Sequence, residues 1–154
     1  MVLISTKIEL KIQKIIDAEL EQKMTYGILH RITCFVKFKS KNTYSDSYLA
    51  ILDTGAHTSL IPNEIWKNIE TEELAAHYIR GIIHKEECTL PVKVAKVKGI
   101  ILDSKGNQSG DMKFHAFLCS TDDVPLILGI KDLLSEFKIV LDVSQYYGYL
   151  EVKT

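Results

Sequence analysis

The stretch YLAILDTGAHTSLIP, residues 48–62, puts one carboxylate where chemistry is possible. Asp53 ends a run of five apolar or aromatic residues, Tyr48–Leu52, and a Thr-Gly pair follows at once. An acid placed against such a run needs partners to hold it, because burying an unpaired charge is costly. Gly55 lets the backbone turn sharply and bring its N–H to the carboxylate with no Cβ in the way. Thr54 adds a hydroxyl able to lock neighbouring backbone, and the apolar flank strengthens local electrostatic contacts by lowering the dielectric. Asp53 can therefore act as a general acid or base, or it can simply cap the turn into the following segment. Asp-Thr-Gly by itself does not separate the two.

A second motif does. Ile127-Leu128-Gly129, preceded by Val124-Pro125, lies far downstream and leads into a stretch with helical spacing. Apolar-apolar-Gly there, together with Ile51-Leu52-Asp53-Thr54-Gly55-Ala56, resembles the paired signatures of the retropepsin-like aspartic proteases. The match extends from about residue 32 to 152, and the tail LILGIKDLLSEFKIVLDVSQYYGYLEV is similar to the cellular and prokaryotic branch of that family. The resemblance implies a mostly β fold, a closed β-barrel or sandwich with one or two short helices. One domain would span 1–154, with 1–25 as an N-terminal extension outside the match. It implies peptide-bond hydrolysis with Asp53 as the catalytic acid and Thr54 and Gly55 in support. Ile127, Leu128 and Gly129 become its structural counterpart. Ala56 and His57 would line the groove, and Gly81, Ile82 and Ile83 would belong to a flap hairpin over a polypeptide substrate. The resemblance calls for no metal or cofactor.

The chain holds nine aspartates, and Asp53 alone stands in Asp-[Ser/Thr]-Gly. Asp103 and Asp142 open the turn-like stretches DSKG and DVSQ. A two-lobed aspartic protease carries two such triplets in a chain about twice as long, so the second carboxylate is expected from a second copy across a two-fold axis. Two carboxylates a few ångströms apart cannot comfortably both ionise; they share a proton and titrate as a pair, the case the aspartic proteases exemplify. Ala56 stands where some relatives have serine, removing a hydroxyl donor near the pair, and activity nearer neutrality is the expectation. His57 stands where many retroviral members carry an acid, and the flap reads IIHKEEC where a glycine-rich tip is usual. A catalytically weak module of the same fold, used for dimerisation or peptide binding, is the alternative function. The alternating segment from Ile4 to Ile12 can pair with the partner's last strand, as termini do in retroviral members, or cover its own core.

Composition excludes several other classes. Of 154 residues, 19 are basic and 20 acidic, a net charge of −1 that offers nothing to a phosphate backbone, so nucleic acid is not expected as a partner. No apolar run approaches the ~20 residues of a membrane helix, and MVLISTKIELK lacks a signal-peptide core; a cytoplasmic protein is expected. Cys34, Cys88 and Cys119 are odd in number and widely spaced, as small buried hydrophobes rather than a disulfide framework. His77, His84 and Cys88 match no trusted zinc spacing.

The elements that must position Asp53 follow from periodicity. Residues 4–12 alternate as a half-buried strand, 15–24 are ambiguous between helix and strand, and a long strand is expected from about 26 to 39. YLAIL reads as a strand covered on both faces. Pro62 can open a short helix carrying Ile65, Trp66 and Ile69. Residues 79–102 read as two extended runs joined at 84–87, with Lys93, Lys96 and Lys98 on a solvated face. DSKGNQSGD is a loop, MKFHAFLC a strand, VPLILG a short strand, IKDLLSEF a helix, and KIVLDV with YGYLEV a hairpin.

Overall fold

A computed structural model describes residues 5–24, 27–79 and 89–153. The strands are β1 (Ser5–Glu9), β2 (Lys11–Ile16), β3 (Ile28–Ser40), β4 (Thr43–Tyr44), β5 (Tyr48–Leu52), β6 (Ser59–Ile61), β7 (Thr71–Ile79), β8 (Leu90–Leu102), β9 (Met112–Cys119), β10 (Ile127–Leu128), β11 (Lys138–Asp142) and β12 (Tyr147–Lys153). Two helices, α1 (Ala18–Met24) and α2 (Asn63–Trp66), interrupt them. The fold is mostly β. Among the described residues, no helix is long and apolar enough to cross a membrane.

The main sheet runs β2-β3-β5-β10-β6-β9-β8-β7, and β3 also pairs with β8, so its ladders close into a ring from β3 through β5, β10, β6, β9 and β8. β3 can serve both edges because its 13 residues divide the work: residues 28–33 meet β2, 33–36 meet β5, and 35–38 meet β8. Inside the ring Val36, Phe38, Ala50, Leu52, Val97, Phe114, Leu118 and Leu128 are buried, the inward set of alternating strands. A second, smaller cluster of Leu60, Val92, Cys119 and Val124 is partly covered by Ile79, Phe117 and Ile127. Burial pushes the Cys34 thiol up to about 12 and the Cys119 thiol up to about 11, so both behave as small hydrophobes. Cys88 and His84 lie outside the described residues. His77 stacks on Phe117 with ring centroids 5.9 Å apart, and the described residues contain no cluster suited to a metal.

Several expectations need correction. The single strand expected over 4–12 is, across the described residues 5–12, two strands, because the chain changes partner at Leu10: β1 joins β12 while β2 joins β3. Ile8 and Leu10 stay buried through the switch, so the period of two gives no sign of it. Of the two arrangements left open for the first strand, the one seen is within the chain, in the order β1-β12-β11. The ambiguous 15–24 stretch is both: the strand ends at Ile16, and Asp17 then caps α1 by accepting from the Glu19 and Leu20 N–H groups at 3.0 and 3.1 Å. The polar 40–47 turn contains the short strand β4. YLAIL is covered on one face only, with Ala50 and Leu52 buried but Leu49 44% exposed. β7 begins at Thr71, well before the expected run, and residues 72–78 are all exposed, so no burial period marks it. IKDLLSEF forms turns and a three-residue 3₁₀ segment, Leu134–Glu136, because Asp132 takes a left-handed φ of 62° in mid-run.

The N-terminal strand is tied to the body by Asp103, in the 103–111 loop. Its carboxylate accepts from the N–H of Glu9 (2.9 Å), Lys105 (2.9 Å) and Asn107 (3.0 Å) and from the Asn107 amide (2.9 Å), while only 7% exposed. Burial alone pushes this acid up, but those donors together outweigh it and hold it below the usual carboxylate range. Its stabilisation is complete above the unfolded value near ~4 and is lost as pH falls through the lower folded value. Asp103→Ala is therefore expected to cost about 2 kcal/mol at neutral pH and to flatten the acid limb of stability. Urea unfolding of both proteins between pH 7 and 3 measures this; an unchanged acid limb would count against the assignment.

Candidate active site

β10 is only two residues long, yet it carries the site. It lies between β5, to which it runs parallel (Ile127↔Ile51, Leu128↔Leu52), and β6, to which it is antiparallel (Ile127↔Leu60). The Ile51 N–H donates to Leu126 O at 2.9 Å and the Asp53 N–H to Leu128 O at 3.0 Å, so the backbone of the acid is pinned by the downstream motif. Asp53 then turns the chain: Gly55 N–H donates to Asp53 Oδ1 at 2.8 Å and Ala56 N–H to the Asp53 carbonyl at 3.2 Å. A Cβ on Gly55 would stand 3.2 Å from that same Oδ1, which is why glycine suits the position.

Gly129 closes the clamp from the other side. Its N–H donates to the hydroxyl of fully buried Ser59 at 3.0 Å. A Cβ there would meet Thr58 C at 2.8 Å, Ala56 O at 2.9 Å and Ser59 N at 3.0 Å, all backbone atoms with no freedom to swing away. The next two N–H groups continue the contact, Ile130 to Ala56 O at 2.9 Å and Lys131 to His57 O at 2.8 Å. Asp132 follows, with its carboxylate against His115 Nδ1 on β9 and accepting the His115 N–H at 3.3 Å. The His115 contact, foremost, holds the Asp132 carboxyl below the usual range. Neither Ser59 nor this pair was legible in the sequence: a serine after a turn and a histidine in an alternating strand are unremarkable residues there.

The expected residues thus divide. Asp53, Gly55, Ala56, Ile127, Leu128 and Gly129 come together in one hydrogen-bonded unit. Asp53 and Ala56 are half-buried at its surface, and Thr54, Gly55 and His57 are exposed. Among the described residues the Thr54 hydroxyl has no hydrogen-bond partner, while His57 Nδ1 lies 2.9 Å from its neighbour Thr58 Oγ1. Gly81, Ile82 and Ile83 lie outside the described residues; the strands leading to them, β7 and β8, pair over most of their length with a bulge between Glu73 and Ala75. A cleft of about 140 Å³ lined by Glu9, Lys11, Phe35 and Asp103 includes none of the predicted site residues.

Neither a family model nor a curated protein matches this sequence. Among solved structures, the chain is similar to a retropepsin-like aspartic protease from Rickettsia conorii, with a TM-score of 0.51 and 14% identity over 100% of this chain and 97% of that one. At that identity the likeness speaks to the fold.

The Gly129 contacts make a sharp expectation. Gly129→Ala should cost about 2 kcal/mol or more, since backbone at 56–59 must move to admit one methyl group. Denaturant unfolding of the variant measures it; a change below ~0.5 kcal/mol would mean the clamp is looser than drawn.

Proposed function

We propose that this chain is an aspartic endopeptidase whose active site forms across a homodimer, each copy contributing Asp53. The observation that carries the reading is the pinned turn: a carboxylate held by Gly55 N–H, on backbone locked by the Gly129 segment, in a fold like that of a known protease. Asp53 Oδ2 has no hydrogen-bond partner among the described residues of its own chain, so it is available to a water or to a second acid. The exposure of Thr54 and Gly55 leaves the face around the acid open to another copy.

The chemistry then follows from general acid–base catalysis. One Asp53 takes a proton from a water lodged between the pair, and the resulting hydroxide adds to the scissile carbonyl. The other Asp53, protonated, donates to the carbonyl oxygen. The tetrahedral intermediate collapses with proton transfer to the leaving amine, releasing a carboxyl and an amine product. One water is consumed and no covalent enzyme intermediate is required. The substrate would be an extended polypeptide passing Ala56 and His57.

Asp53→Asn is the direct test, because an asparagine side-chain oxygen can still accept the Gly55 N–H and keep the turn. Cleavage of casein between pH 3 and 8 is expected from the wild type, reduced at least about a thousandfold in the variant, with specific activity rising with protein concentration. With Ala56 beside the pair, the optimum is expected nearer neutrality than about pH 4. No cleavage by a wild type shown to be dimeric would turn the assignment toward a binding or dimerisation module of the same fold.

A further inference from the structure

Among the described residues four strands, β1, β2, β7 and β11, lie at sheet edges, and three carry a device that discourages another strand from joining. β7 has a bulge between Glu73 and Ala75. β2 carries Lys11 and Lys14, whose ammonium groups lie over the Phe35 and Tyr146 rings at 4.6 and 4.7 Å. β1 is crossed by the 103–111 loop through the Glu9 N–H bond to Asp103 and the Lys105–Glu9 ion pair at 2.9 Å. β11 has no bulge and no crossing loop among the described residues, and a single lysine, Lys138, at its first position. Its five residues, Lys138-Ile139-Val140-Leu141-Asp142, keep unbroken register with β12, contain no proline or glycine, and have no strand on their other side among the described residues.

The composition of that edge is self-complementary. In an antiparallel pair directly opposed residues point to the same face, so a two-fold axis must pass through a residue rather than between two. Centring it on Val140 pairs all five residues. Ile139 then faces the second copy's Leu141, and Val140 faces its own counterpart. Lys138 faces the second copy's Asp142, and the reverse holds at the other end. Centring on Lys138 or Asp142 would instead put like charges together. Both faces gain: Ile139 and Leu141 share the face that continues the core, where Leu141 is still 38% exposed. Five residues alone make a narrow seam, and Val143, which follows directly and is 47% exposed, adds apolar surface at its end.

We propose that the second copy docks on the free edge of β11, antiparallel and centred on Val140, joining the two three-stranded sheets into one of six. This rests on the dimeric reading, and it serves the proposed active site if the axis through Val140 also brings the two Asp53 side chains together. The retroviral arrangement, with the last strand paired to the partner's first, is not needed here because β12 already has β1 and β11 on its two sides.

Sedimentation velocity over a range of concentrations tests the proposal without reference to activity. Lys138→Glu and Asp142→Lys should each weaken dimerisation about tenfold or more, whereas an equimolar mixture of the two variants should return to within about threefold of the wild type, because opposite charges meet again at both ends. Lys138 also lies across from Glu151, and Asp142 caps the following turn, so either variant could be perturbed as a monomer. Amide hydrogen exchange on the wild type answers independently: alternate β11 amides should gain protection as dimer forms. A wild type that stays monomeric, a dimer indifferent to both substitutions, or β11 amides unchanged on dimerisation would each overturn the proposal. Cleavage of casein separates the two readings. A dimer through β11 that cleaves nothing keeps the docking and removes the protease; cleavage by a dimer indifferent to β11 does the opposite.

Discussion

The structure around Asp53 depends on one close approach: Gly129 pressed against the backbone of residues 56–59. With atoms at 2.8 to 3.0 Å from where a Cβ would stand, no other residue fits without moving main chain. That contact lets a two-residue strand, β10, bond to β5 on one side and β6 on the other. It also brings three successive N–H groups, from Gly129, Ile130 and Lys131, onto Ser59 Oγ, Ala56 O and His57 O. A tight turn would otherwise leave those acceptors to water, with the turn free to drift. Rigid placement matters because a shift of about 1 Å in a reacting group is enough to cost orders of magnitude in rate.

Two aspartates show how differently the same side chain can be held. Asp103 is buried and accepts four hydrogen bonds, which uses its lone pairs and leaves it nothing to do but hold the 103–111 loop to β1. Asp53 is half-buried and accepts one, from Gly55, with its second oxygen free among the described residues. A saturated carboxylate is a structural fitting. An unsaturated one, held on a rigid turn, keeps an oxygen available, and the role proposed for Asp53 draws on that contrast with Asp103.

How much of this was legible beforehand follows the range of the forces involved. The turn at Asp53 and the Ile-Leu-Gly segment were readable because glycine placement and apolar runs are local signals. Their meeting came from a family resemblance, since nothing in the spacing of 53 and 129 says they touch. The long strand β3, the 103–111 loop and the closing hairpin obeyed their period. The missed features are those decided by tertiary partners. The change of sheet at Leu10 preserves alternation and so leaves no trace. β7 is exposed on both faces and has no period to read. The expected helix at 130–137 yields to Asp132, whose carboxylate is claimed by His115 from another strand. Ser59 looks like any polar residue after a turn until Gly129 is placed above it.

The internal pairing of β1 with β12 bears on how such a protein could divide its work between copies. Where terminal strands are exchanged, folding and association are one event, because each last strand lacks a neighbour until the partner arrives. Here β12 is flanked on both sides by its own chain, and Ile8 and Leu150 are fully buried without help. The fold can therefore be complete in a single copy while its proposed chemistry is not, since one Asp53 would be half of the proposed proton-sharing pair. Association would then act on activity and leave the fold alone. In that arrangement the concentration of the chain sets how much catalyst exists, and a modest edge-to-edge seam is better suited than an interlocked one to making that dependence reversible.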